Sequence, residues 1–163
     1  MTLLPILTYP APGLKTPAKP VTDFDDRLAT LADDLLETMR AAPGVGITAC
    51  HVGVFERVVV IELKPGEPRV YVNPVIEAFS EERMTATEGS VSMPGVTDEI
   101  DRPRAIRLHW QDLEGKKHEG VMTGFEAVCM QHEIDQLDGI FWLQRLSRLK
   151  RERLVKRFQK AGR

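Results

Sequence analysis

Two cysteines in 163 residues, Cys50 and Cys129, are too few for a disulfide scaffold and fit a reducing compartment. Net charge is almost lacking too. At −2, with 42% apolar and 28% charged residues, the chain is neither disordered nor strongly basic and has the composition of an ordinary soluble globular protein. No internal repeat or low-complexity tract is found. The apolar opening Met1-Thr-Leu-Leu-Pro-Ile-Leu7 lacks a cationic lead-in, is interrupted by Pro5 and Pro10 and is too short to span a bilayer. The chain is therefore read as cytoplasmic, with neither a membrane nor DNA as partner. Its length suits one sizeable core, so a single domain over 1–163 is expected.

What charge there is falls unevenly. Residues 145–163 carry nine Lys or Arg against Glu152 alone, a balance of +8, which leaves −10 on the rest. A basic tail of this kind is either a solvated helix face or a footprint for an anionic partner such as RNA.

Leu28, Leu31, Leu35 and Met39 recur at helical spacing after the candidate caps Thr22 and Asp23, predicting a helix that ends near Pro43-Gly44. Strands are predicted at Arg57–Leu63, Arg69–Val72 and Ile106–Trp110, the first two separated by the turn signal Lys64-Pro-Gly-Glu67. A second helix is predicted from Thr123, with Glu126 at capping-box spacing, to Gly139, its inner stripe being Phe125, Val128, Cys129, His132 and Gln136. A third runs from Ser147 to Ala161, burying Leu149, Leu154, Val155 and Phe158. Strands in the middle with helices before, between and after them indicate an α+β fold.

Gln131-His132-Glu133-Ile134-Asp135-Gln136 lies inside the second helix and would be a metal-binding H-E-x-x-H motif if Gln136 were histidine. Residues i and i+4 share a helix face, which lets two imidazoles meet one ion while the Glu between them reaches its water. Only half of that pair exists here, and by itself it reads as a core histidine.

Two further segments change the reading. Gly44-Val-Gly-Ile-Thr-Ala-Cys-His51 resembles the G-x-G-L-A-A-x-Q loop of peptide deformylases, Glu88-Gly-Ser-Val-Ser92 resembles their E-G-C-L-S loop, and Gln131–Gly139 is similar to their Q-H-E-x-D-H-L-x-G helix. All three occur in the family's order and spacing, and the likeness extends to Tyr9-Pro10, Ala18-Lys-Pro20, Asn73-Pro74, Pro94-Gly95 and Arg102-Pro103. The resemblance implies a peptide deformylase-like fold, with antiparallel strands around the central motif-bearing helix, an N-terminal helix and a basic C-terminal helix. It also implies the family reaction, in which water on zinc or iron removes the formyl group from the N-terminal methionine of a nascent polypeptide.

By that resemblance Glu133 is the base, His132 is a metal ligand and the Val91 N–H is a backbone donor to the oxyanion. A methionine pocket of Val45, Gly46, Phe125, Val128 and Cys129, and an ion pair between Glu88 and Arg102, follow from it as well. Three positions depart. Ser90 replaces the ligand thiolate, Gln136 the second ligand imidazole and His51 the oxyanion glutamine. A hydroxyl that stays neutral and a neutral amide are poor donors to zinc or iron, so no tightly held metal is expected, at most weak zinc or iron, and the activity should be weak or lost. One alternative is an active deformylase with a metal site rebuilt on His51 and His132. Another is a non-catalytic protein that binds formyl-Met peptides, or the ribosome through its basic helix. A serine nucleophile at Ser90 beside His132 is a further possibility, but the sequence identifies no acid to orient that imidazole.

Overall fold

The computed structural model describes residues 2–162. The first helix, α1 (Asp26–Ala41), starts later than expected, with Asp25 as its cap accepting from the Leu28 N–H at 3.1 Å. The delay has a cause upstream. Asn73 receives the Val21 N–H at 2.8 Å and donates to the Val21 carbonyl at 2.9 Å, which holds the chain extended just before Thr22 and Asp23.

Five strands form one antiparallel sheet in the order β1 (Gly46–Thr48), β2 (Val58–Ile61), β3 (Arg69–Phe79), β6 (Ala105–Gln111), β7 (Lys117–Thr123). A separate hairpin pairs β4 (Arg83–Ser90) with β5 (Met93–Pro103). The four aliphatics of β2 are all buried because both faces of the sheet are covered. Val58 and Val60 pack on Leu28, Leu35 and Met39 of α1, whereas Val59 and Ile61 pack on Cys129, Met130 and Ile134 of α2 (Gly124–Leu137). The hairpin forms a third cluster, in which Met93, Val96 and Ile100 meet Phe141, Trp142, Leu143 and Leu154 of the C-terminal helix α3 (Arg148–Ala161). The α+β class and the central placement of the motif-bearing helix agree with expectation.

Several local expectations do not hold. The strand expected to stop at Val72 continues to Phe79, because Asn73, at φ 50°, and Pro74 sit in a register shift rather than a turn. Thr123 precedes α2 but makes no side-chain cap bond, and the chain enters the helix through Gly124 at φ 63°. Leu149 is exposed, since α3 buries fully only Leu154 and lays Val155 and Phe158 partly against the third cluster. Strands β1, β4, β5 and β7 were not anticipated. Among the described residues no helix is long and apolar enough to cross a membrane.

Gly139 ends α2 at φ 77°, and a Cβ there would lie 2.7 Å from the Lys15 carbonyl oxygen. Neither the dihedral nor the backbone contact tolerates a side chain. Gly139→Ala should therefore lower unfolding free energy by about 2–4 kcal/mol in urea titrations. A loss below that range would show that the closing turn can move.

Candidate functional site

A groove of about 440 Å³ runs between the loop before β1, the turn of the β4–β5 hairpin and the exposed side of α2. Val45, Gly46, His51, Glu88, Ser90, Val91, Phe125, Val128, Cys129, His132 and Glu133 all line it. Of the substituted and retained positions, only Gln136 is not among its walls. Phe125 and Val45 stand at the rim, 48% and 44% exposed, rather than inside, so Phe125 does not join the buried stripe expected for α2. Val128 and Cys129 are the apolar floor, both nearly fully buried.

The groove's base is a chain of buried charges. Arg102 on β5 binds Glu88 on β4 through two nitrogens, at 2.6 and 3.0 Å, and reaches Asp135 on α2 at 2.8 Å. Arg145 closes on the same Asp135 at 2.7 and 2.9 Å. Glu88 also accepts a bond from His132 Nδ1 at 2.9 Å. The sequence had offered no acid to orient this imidazole; Glu88 is that acid, 44 residues away in the chain. Burial alone would push Glu88 up, yet the bonds from His132 and Arg102 outweigh it and hold the carboxyl below its ordinary value. Burial likewise opposes charge on His132, but the Glu133 and Glu88 carboxylates prevail and raise it.

Since Glu88 is an acceptor, Nδ1 of His132 carries the hydrogen and the neutral ring turns the lone pair of Nε2 outward. His51 has the opposite arrangement. Its Nδ1 accepts the Thr48 N–H at 3.0 Å, so its hydrogen sits on Nε2. Burial, helped by nearby His132, lowers its pKa to about 3 and keeps the ring neutral. Nε2 is buried and has no partner. His51 therefore presents an N–H donor to the groove, and a role for it as metal ligand would require moving that proton against the Thr48 N–H. The sequence did not reveal the Thr48 contact, although threonine three residues ahead of a histidine in a tight turn is a possible signal.

Glu133 is 4% exposed, and its Oε1 has no partner. A Cβ on Gly46 would come within 2.6 Å of its Oε2, which explains the glycine. Desolvation raises the carboxyl to about 7.

The donors present do not compose a thiolate-and-two-imidazole set. The Ser90 Oγ accepts the Ser92 N–H at 3.1 Å. The Gln136 side chain is buried and donates to the Leu14 carbonyl at 2.8 Å. Among the described residues no three His, Cys, Asp or Glu side chains are placed to hold an ion together. Neither cysteine substitutes, because burial pushes the Cys129 thiol to about 12 and the Cys50 thiol to about 11. Tight zinc or iron binding of the family's kind does not fit these residues.

A second cleft, of about 720 Å³, includes Arg57, Arg83, Arg102 and Arg145 in its walls. Each of the four is already paired, with Asp138, Asp101 or Asp135, so its charge is spent internally.

The Glu133 shift fixes a sign. With a folded-state pKa near 7 against an ordinary 4.5, the buried carboxyl binds its proton more tightly when folded, so its contribution to stability is full below about 4.5 and lost as pH rises through 7. Glu133→Gln removes this dependence. Measured by urea unfolding, its stability relative to the parent should improve by about 2 kcal/mol between pH 5 and pH 8. An unchanged difference across that range would mean that Glu133 is ionised throughout.

Comparison with known proteins agrees with this geometry. The family model "Polypeptide deformylase" matches residues 3–152. A "Peptide deformylase-like" protein of Brucella melitensis biotype 1 is 58% identical, with all of both chains covered. A "Peptide deformylase" of Azotobacter vinelandii is 44% identical over all of this chain and 98% of its own. The crystal structure of peptide deformylase from Ehrlichia chaffeensis in complex with actinonin superposes with a TM-score of 0.93 at 34% identity, covering 100% of this chain and 99% of that one. With its three motifs gathered on one groove and its fold shared over the full length, this chain belongs to the polypeptide deformylase family.

Proposed function

We propose that this protein binds N-formyl-methionyl peptides in the groove and that the metal-dependent hydrolysis of its family is weak or lost in it. The observation that carries this reading is the donor set. Where two soft or strongly basic ligands are needed, a hydroxyl bound by the Ser92 N–H and an amide turned to the Leu14 carbonyl are present. Loss of outer partners alone typically reduces metal affinity or activity about 10–100-fold, so loss of two direct ligands should reduce it further. The groove itself supports retained binding. Val128 and Cys129 suit a methionine side chain, while the His51 Nε2–H and the unpartnered Glu133 oxygen offer a donor and an acceptor to a formamide.

The purified protein should hold well under one equivalent of zinc, iron or nickel by elemental analysis, and chelators should leave its melting temperature unchanged. Stoichiometric metal on Ser90, His132 and Gln136 would refute the reading. Ser90→Cys with Gln136→His should restore metal and some hydrolysis of formyl-Met peptides, with His51→Gln improving it. A triple variant that folds and binds metal but stays inert would place the defect in the groove instead.

A ribosome contact through α3 is a second reading, favoured by one observation. Lys156, Arg157 and Lys160 are all exposed, and no ion pair holds them among the described residues. Phosphate contacts would make such binding fall steeply with salt. Replacing these three residues by Glu should reduce ribosome co-sedimentation at low salt about tenfold or more without changing the melting temperature. Equal sedimentation of both forms would leave α3 as a solvated helix.

A further inference from the structure

The loss of a metal thiolate leaves an arrangement with chemistry of its own. Ser90 lies two residues after Glu88 at the end of β4, across a shift in the hairpin's register, and both line the groove with His132. Glu88 holds Nδ1 of that imidazole at 2.9 Å and is itself clamped by Arg102. The ring's Nε2 lone pair is thereby left to the groove. The Ser90 Oγ accepts the Ser92 N–H, so its own proton remains available for donation. A neutral N–H donor, His51 Nε2, is buried at the same groove without a partner.

We propose that Ser90, His132 and Glu88 form a metal-independent nucleophilic site that transfers a formyl or similarly small acyl group, with His51 Nε2–H as donor to the oxyanion. The substrate class rests on the preceding reading, but the chemistry does not. The Ser90 Oγ bonds to the acyl carbon as its proton passes to His132 Nε2, and the carbonyl electrons move onto oxygen against the His51 N–H. Collapse breaks the bond from carbon to the leaving nitrogen, which takes the proton from His132 and departs as the amine. Water then adds to the formyl ester on Ser90, giving its proton to His132. Cleavage of the bond to Oγ returns that proton to serine and releases formic acid. Each proton is returned and no co-reactant besides water is consumed. Ser90 and His132 are the catalytic residues. Glu88 is a positioning residue, acting through the imidazole as a carboxylate does in serine hydrolases.

The test uses the full chain stripped of metal with a chelator and two probes that do not depend on peptide recognition, a fluorophosphonate and 4-nitrophenyl formate. Mass spectrometry should find one phosphonate adduct, on Ser90. Formate ester hydrolysis should persist in chelator and fall about 100-fold or more in Ser90→Ala and His132→Asn, both folded by circular dichroism. Glu88→Gln should lower kcat with KM unchanged, whereas a purely structural role would lower the melting temperature and leave kcat per folded molecule intact. Absence of an adduct on Ser90, or hydrolysis undiminished in Ser90→Ala, overturns the proposal. The latter outcome would assign the chemistry to water activated by Glu133. Formyl-Met peptide binding, measured separately by calorimetry on Ser90→Ala, distinguishes the two readings. If binding fails the peptide reading falls, and if binding holds without an adduct only the serine site falls.

Discussion

The bonds linking Glu88, Arg102 and Asp135 bind together pieces of chain that share little apolar surface. β4 and β5 lie outside the main sheet and have their own apolar cluster, whereas the buried apolar residues of α2 belong to the core of the main sheet. Arg102 is almost fully buried and is paired on either side with a carboxylate, Glu88 and Asp135. Removing one partner from a buried ion pair leaves an uncompensated charge and costs about 3–5 kcal/mol, so the hairpin, the helix and the turn bearing Arg145 keep their relative places. The same carboxylate fixes the ring of His132. The groove's geometry therefore depends on these protein charges.

Local hydrogen bonds hold the side chains at the three departing positions as well. In the family a shared ion would tie the β4–β5 turn to α2. Here each altered residue has a local partner instead, Ser90 with the Ser92 N–H, Gln136 with the Leu14 carbonyl and His51 with the Thr48 N–H. None of the three substitutions leaves a buried side chain entirely without a bond, although Nε2 of His51 is buried without a partner.

Much of the fold was legible where one physical signal dominated. The leucine spacing of α1, the doubly buried aliphatics of β2 and the glycine after α2 were each read correctly, and the three motifs located the groove. The hairpin was missed because β4 sets only Met84 and Ala86 among polar residues and glycine and buries only Glu88, a residue whose burial depends on an arginine 14 positions away. The strand from Arg69 was ended at Val72 because local propensity cannot show that Val21 will pair with the Asn73 amide. The orienting acid of His132 and the tautomer of His51 were hidden for the same reason. Each depends on a contact made through the fold, and only the Thr48 contact is close in sequence.

The Gln136 bond also bears on how reversible the change is. Its amide supplies a hydrogen bond to the Leu14 carbonyl within the 3-10 turn at Pro12–Lys15. An imidazole directed at a metal from the same position would keep that bond only by donating its other ring N–H to the carbonyl, and a buried acceptor left without a donor costs about 1–3 kcal/mol. A histidine whose second nitrogen missed the carbonyl would weaken the docking of the N-terminal segment on α2, unless bound metal offset the loss. A reverted site that bound metal would draw part of its stability from the ion. In that respect Ser90 and Gln136 each already hold a protein partner, the Ser92 N–H and the Leu14 carbonyl, that a metal-directed side chain would have to give up or share.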